Sequence, residues 1–357
     1  MTIYRRRSEF GMLDDDGLDV HQISNQELNE VLQQLRHDNP YSGETLIMGH
    51  LRAVGIYVSR ERVRSILRRT DPLNVTLRWG FSITARRPYS VPGPNSLWHI
   101  DGHHKLIRWR FVTHCGIDGY SRLVVFLKCS TNNRASTVLH SFLDAVSRFG
   151  VPSRVRTDQG RENMLVAQFM LQNRGHGRGS IITGSSVHNQ RIERLWRDLH
   201  RCVTQLYYRL FYYLEQRRLL DPANEVHLFA LHFVYLPRIN KSLEAFKDGW
   251  NMHGIRTENN KSPLQLFHAG ALRLQHSGLE AMDLFQTVGE EYGVDTNVLP
   301  QDDESEDSRV ENEIPETRLN ISEEVYQELC QNIDMIADDN DYGIDKYCAV
   351  VRFLTSH

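Results

Sequence analysis

Cysteine is scarce in this chain, and what there is lies scattered. Cys115, Cys129, Cys202, Cys330 and Cys348 are spread over 357 residues, and no two form a Cys-x-x-Cys pair. That spacing argues against a disulfide framework and against a structural zinc module. Long apolar runs are missing as well. The richest, Leu228 to Leu236, follows His227 and is broken by His232, well short of the roughly 20 residues a membrane helix needs. The opening segment MTIYRRRSEF has no apolar stretch of the kind a secretory signal carries. The expectation is an intracellular protein in a reducing compartment, without a membrane partner.

Charge is nearly balanced overall and strongly unbalanced along the chain. Residues 277–357 hold 21 Asp and Glu against 4 Lys and Arg, and the net charge of −3 then leaves +14 for residues 1–276. A basic body with an acidic tail points to a polyanionic partner for the body. With 40% hydrophobic and 24% charged residues, the composition is that of globular material with room for two domains.

Five stretches are distinguishable. Residues 1–20 are polar, with an acidic Asp14-Asp15-Asp16 run, and read as a flexible N-terminus. Residues 21–70 read as three helices. Ser24 and Glu27 have the spacing of a capping box, and Leu28, Val31, Leu32 and Leu35 follow at helical intervals. A helix from Ser42-Gly43-Glu44 through Ala53, a turn at Gly55 and a helix from Ser59 to Arg69 then have the form of a helix-turn-helix. The last of these carries Arg60, Arg62, Arg64, Arg68 and Arg69 beside Val63, Ile66 and Leu67. Apolar residues on one face and basic ones on the other suit a helix that packs inward and meets DNA outward. Residues 71–94, with Arg86, Arg87 and several prolines, read as a basic linker. Residues 95–275 read as the core domain, and 276–357 as an acidic, partly disordered tail with a small helix around Ile321 to Ile336.

In the core, strands are expected at Trp98–His103, Phe111–Ile117 and Leu123–Cys129, with a hairpin turn at Asp118-Gly119. A helix over Ala135–Phe149, a short strand ending at Asp158, a helix over Asn163–Leu171, a strand over Ser180–Thr183 and a long helix over Asn189–Glu215 follow. That order gives an α/β fold: a mixed five-stranded sheet flanked by helices, preceded by the small helical domain.

Three carboxylates stand out by their place in this order. Asp101 is on the first strand, Asp158 is at the end of the fourth, and Glu193 is near the start of the long helix. The first and fourth strands are expected to be neighbours, with the helix crossing them, so the three groups should meet. Clustered like charges call for a cation, and hard oxygen donors suit Mg2+ or Mn2+. Two such ions, roughly 3.5–4 Å apart, can activate a water or 3′-hydroxyl and stabilise the leaving oxygen in phosphodiester attack. Turning about 100° per residue from Glu193, Arg197, Arg201, Arg194 and Arg191 fall at about 40°, 80°, 100° and 160°. Ile192, Leu195, Trp196, Leu199, Val203 and Leu206 cluster on the other side. Glu193 therefore borders an arginine face suited to a phosphate backbone. His99, His103, His104 and His188 are read as structural, Trp98 and Trp196 as core, and Arg174–Gly179 as a loop near the site.

Trp98-His99-Ile100-Asp101, Thr157-Asp158-Gln159-Gly160 and His188-Asn189-Gln190-Arg191-Ile192-Glu193-Arg194 resemble the three motifs of the retroviral integrase and DDE transposase superfamily. The 34 residues between Asp158 and Glu193 are close to that family's usual spacing. Trp250-Asn251, His253, Thr257 and Ser262-Pro263 resemble the segment that closes integrase cores in transposon-derived proteins of animals and fungi. The resemblance covers about residues 95–270. It implies a ribonuclease H-like fold, Asp101, Asp158 and Glu193 as catalytic and metal-binding residues, a divalent metal, a DNA substrate and a homo-oligomer working on DNA. The expected DNA contacts are Arg191, Arg194, Arg197 and Arg201 in the core, with Arg60, Arg62 and Arg64 in the helical domain. The nucleus is the expected compartment. Two functions stay open: DNA cleavage and strand transfer, or a domesticated integrase core that binds DNA as a scaffold and cuts nothing.

Overall fold

The computed structural model describes residues 23–38, 42–70, 91–158, 160–183, 190–277, 314–315, 317–319, 321–337 and 341–356. The expectations placed on residues 1–20, on most of the linker, on His188 and on residues 299–313 lie outside the described residues. The chain divides into two compact units, one of residues 1–85 with 248–263 and the other of residues 86–247 with 264–357.

In the first unit, helices α1 (Asn25–Asp38), α2 (Glu44–Ala53) and α3 (Arg60–Thr70) share one small core. Leu28, Leu32, Ile47, Leu51, Val63, Ile66 and Leu67 are buried there, matching the helical spacing of the sequence. The capping box is present in both directions. Glu27 N donates to Ser24 Oγ at 3.1 Å, and Ser24 N donates to Glu27 Oε2 at 2.8 Å, so two amides at the helix start are satisfied.

The second unit is built on a five-stranded sheet of order β3-β2-β1-β4-β5. Strands β1 (Trp98–His103), β2 (Val112–Asp118) and β3 (Val124–Ser130) pair antiparallel. Strands β4 (Val155–Thr157) and β5 (Ile181–Thr183) continue the sheet in parallel with β1. At the hairpin the expected turn is held from inside: Asp118 is fully buried and accepts from Asn95 N, Ser121 N and Ser121 Oγ at 2.9, 2.7 and 2.6 Å. Gly116 lies so close to the Phe126 ring that an added Cβ would stand 2.3 Å from it.

Trp98 and Ile100 of β1 join Val125, Val138, Phe142, Val166 and Met170 in the main core, under helices α4 (Ala135–Phe149) and α5 (Met164–Arg174). Strand residues alternate between faces, so Asp101 and His103 belong to the opposite face of the sheet. Helix α6 (Gln190–Leu199) packs against β1 and β2.

The long helix expected over 189–215 is not one regular α-helix. A π segment, His200–Thr204, separates α6 from α7 (Gln205–Gln216). Ile192, Leu195, Trp196, Leu199 and Val203 are buried as expected, but the next buried positions are Tyr207, Phe211 and Leu214. Leu206, expected on the buried side, is only half-buried, and Tyr207, one residue later, takes the buried place. The π turn inserts the extra residue and restores contact with the core.

Helix α8 (Glu225–Met252) and helix α9 (Pro263–Ser277) follow. Among the described residues, the C-terminal region adds helices α10 (Glu323–Asn332) and α11 (Ile344–Ser356). Only the first was expected. The segment is stitched to α8 and its neighbours: Arg318 N donates to Glu225 Oε2 at 2.8 Å, and Arg238 Nε donates to the Met335 carbonyl at 2.6 Å. Tyr347, fully buried, donates its hydroxyl to the Leu219 carbonyl at 3.0 Å. The acidity of this stretch reflects its outer face; Leu329, Tyr347 and Val350 supply an inner one.

Candidate active site

The parallel pairing of β1 with β4 sets Trp98 beside Val155 and His99 beside Arg156. Carried two residues further along both strands, the register brings Asp101 level with Asp158 at the C-terminal end of β4. Helix α6 lies over the same face and carries Glu193 and Trp196 one turn apart.

Asp101 is half-buried, and both its oxygens are engaged. Gly102 N donates to Oδ1 at 2.9 Å and Trp196 Nε1 donates to Oδ2 at 2.8 Å. Burial lifts its carboxyl from the ordinary 3.8 to about 7. The Trp196 hydrogen bond opposes that rise, the charges of Asp158 and Glu193 reinforce it, and the Gly102 N–H opposes it. The three carboxylates therefore share one electrostatic environment. Asp158 Oδ1 accepts from Asn163 Nδ2 at 2.8 Å and from Gly160 N at 3.2 Å. Glu193 is exposed at its side chain, and desolvation by the surrounding protein raises its pKa against the pull of Arg197.

Residues that sequence reasoning passed over complete the surroundings. Asn163 donates to the Asp158 carboxylate, and the Asp158-x-Gly160 spacing, a turn signal, is what could have pointed to it. Trp196, expected as core, is buried and also bonded to Asp101. His103 stacks on Trp196, with ring centroids 5.0 Å apart. Burial lowers the pKa of His104, and the charge of Asp158 pulls it back up. Glu162 folds back so closely over Gly160 that a Cβ there would lie 2.1 Å from Glu162 Oε1.

Among the described residues, no three His, Cys, Asp or Glu side chains are grouped closely enough to hold a metal ion. The donor set nonetheless fits a hard divalent cation in kind. It is made of carboxylates, and burial together with two neighbouring charges resists the ionised form of Asp101, which a cation would relieve.

On α6, Arg194 and Arg197 are exposed and Arg191 is half-buried. Asp198 lies among Arg194, Arg201 and Arg197, whose charges oppose the rise that burial imposes on its carboxyl. Arg201 falls within the π segment, so the angle of about 80° assigned on an ideal helix does not apply to it. In the other unit, Arg60 and Arg64 converge on Glu44, with Arg64 Nε and Nη2 at 3.0 and 3.1 Å. Arg62 donates to Asn25 Oδ1 at 2.7 Å and to the Ile23 carbonyl. These three guanidiniums hold their own helices together.

The loop Arg174–Gly179, expected near the site, lies at the other end of β4. Arg154 Nη2 donates to the Arg178 carbonyl at 2.8 Å, and Arg178 Nη2 donates to Ser153 Oγ at 2.9 Å. The cause is topological: this loop feeds the start of β5, which runs parallel to β4, whereas Asp158 follows the end of β4.

The integrase core domain family matches residues 88–281, more than half of the chain. Similar solved structures include the catalytic core domain of HTLV-2 integrase in complex with magnesium. Its trimeric form is 20% identical over 49% of this chain and 97% of that one, with a TM-score of 0.32. Its dimeric form is 18% identical over the same shares, with a TM-score of 0.31. The simian T-cell lymphotropic virus intasome in complex with PP2A regulatory subunit B56 gamma is 17% identical over 67% of this chain and 72% of that one, with a TM-score of 0.36. No curated protein matches the chain.

Proposed function

The chain belongs to the integrase core domain family, and from that premise we propose that it is a divalent-metal-dependent polynucleotidyl transferase that cleaves DNA and transfers strands. The observation that supports this reading is the register of β1 with β4, which sets Asp101 level with Asp158 under the helix that carries Glu193. Asp101 feels the charge of both others.

Asp101, Asp158 and Glu193 would hold Mg2+ or Mn2+. Such ions, when bound, polarise a phosphodiester and make a water or 3′-hydroxyl a better nucleophile. The chain's own residues orient the parts. Gly102 N and Trp196 Nε1 fix the Asp101 carboxylate, and Asn163 and Gly160 N fix Oδ1 of Asp158. Arg194 and Arg197, exposed beside Glu193, take the phosphate backbone that approaches the carboxylates, with Arg191 at the helix start. Arg201, on the π turn, contributes through a different angle. Arg60, Arg62 and Arg64 already serve internal partners, so the helical unit's hold on DNA would share those guanidiniums with them. A homo-oligomer assembled on DNA, in the nucleus, completes the proposal. Among the described residues no helix is long and apolar enough to cross a membrane.

The test is an oligonucleotide nicking and strand-transfer assay with Mg2+ or Mn2+, comparing wild type with Asp158→Asn. The proposal expects metal-dependent products from wild type and none from the variant. Equal products from both, or none from either across many DNA substrates, would sink it. Duplex binding that survives the substitution, with no products from wild type, would leave a DNA-binding scaffold.

A further inference from the structure

We propose that Trp196 is a positioning residue: its indole N–H fixes the Asp101 carboxylate and so holds α6, and with it Glu193, against β1. The inference deepens the function proposed above and rests on it.

Three observations combine. Trp196 is 6% exposed, and a buried indole N–H needs an acceptor; the acceptor it finds is Oδ2 of Asp101, 2.8 Å away and 95 residues distant in sequence. His103 lies two residues beyond Asp101, on the same face of β1. Its ring stacks on the indole with an interplanar angle of 26°, which fixes the plane in which the N–H points. Trp196 also follows Glu193 by three residues, so the two are one turn apart on α6. The indole therefore links the strand that bears one carboxylate to the helix that bears another. Filling space alone would not require the N–H, because a phenyl ring also packs against His103. Gly102 N holds the other oxygen of Asp101 at 2.9 Å, so rotation of the carboxylate is restrained from both sides. Partners of this kind, one step removed from a metal, typically account for about 10- to 100-fold in metal affinity.

The test uses the full chain, labelled with 15N, and follows its five indole resonances alongside Mn2+ affinity by calorimetry. Trp196→Phe keeps the ring and removes the N–H; its missing resonance identifies Trp196, and the other four serve as controls. The expected results are a Trp196 resonance that moves in Asp101→Asn and on adding Mg2+ to wild type, and a loss of about tenfold in Mn2+ affinity in Trp196→Phe. An unmoved resonance in Asp101→Asn overturns the contact. Wild-type Mn2+ affinity in Trp196→Phe overturns the positioning role while leaving the metal reading intact. Failure of wild type itself to take up Mn2+ overturns the catalytic reading, and the positioning role falls with it. Should Trp196→Phe not fold, the indole resonance that moves in Asp101→Asn is the one to follow. Its response to Mg2+ in wild type then supports the role, and silence overturns it.

Discussion

Replacing Asp101 by Asn should stabilise the fold near neutral pH and leave it unchanged in acid. The carboxyl rises from 3.8 to about 7 on folding, so between those values the folded chain holds a proton that the unfolded chain has lost. Stability attributable to this group is fully present below 3.8, falls as pH rises through the window, and levels off above about 7. At about 1.4 kcal/mol for each tenfold in proton affinity, the upper bound is about 4 kcal/mol. Asp101 keeps partial solvent exposure, which lowers that bound. Protonated Asp101 and Asn each offer the N–H donors of Gly102 and Trp196 one good acceptor, so the two proteins are matched in acid. The net expectation is a gain of about 1–2 kcal/mol at pH 8 and none at pH 4. The assay is urea unfolding of both proteins from pH 4 to 8 with a chelator present. Asp118, fully buried and lifted to about 6, gives both proteins a slope of the same sign, so the difference between them is the quantity to read. A difference that is equal at pH 4 and pH 8, or a variant weaker than wild type at pH 8, would refute the reasoning.

Three further outcomes are expected. Arg197→Ala should weaken duplex binding about equally across sequences and reduce the slope of log affinity against log salt by about 1, as measured by fluorescence anisotropy at several salt concentrations; an unchanged slope would remove Arg197 from the phosphate path. Glu44→Gln releases Arg60 and Arg64 from their shared carboxylate. If α3 meets DNA, affinity and salt slope both rise in the same titration, whereas unchanged binding would rule this face out. Tyr347→Ala, at a fully buried ring whose hydroxyl is bonded, should cost about 3–5 kcal/mol in the unfolding of the second unit; a cost below about 1 kcal/mol would mean that α11 is not part of its core.

Much of the sheet was legible in the residues. Alternation placed Trp98 and Ile100 in the core and therefore Asp101 on the other face, and the helix–strand order made β1 and β4 neighbours. Hydrophobic spacing put Ala135–Phe149 in a helix with the bounds it has. What escaped had physical reasons. A π turn changes the spacing of buried residues by one only after it has occurred, so an ideal-helix projection carried past His200 to Thr204 buries Leu206 where Tyr207 is buried. The C-terminal helix α11 was hidden because charge composition averages over both faces, while Tyr347 and Val350 bury just one. The arginines of α3 looked free since their partner, Glu44, comes from the preceding helix. Trp196 was legible as a buried ring but not as a donor: its acceptor is 95 residues away.

The central claim is that Asp101, Asp158 and Glu193 hold a divalent cation, and anomalous diffraction from crystals soaked in Mn2+ tests it most directly. The account predicts an anomalous peak between the carboxylates of Asp101 and Asp158, lost in Asp158→Asn. No peak there at saturating Mn2+, or a peak that survives the substitution unchanged, would contradict it.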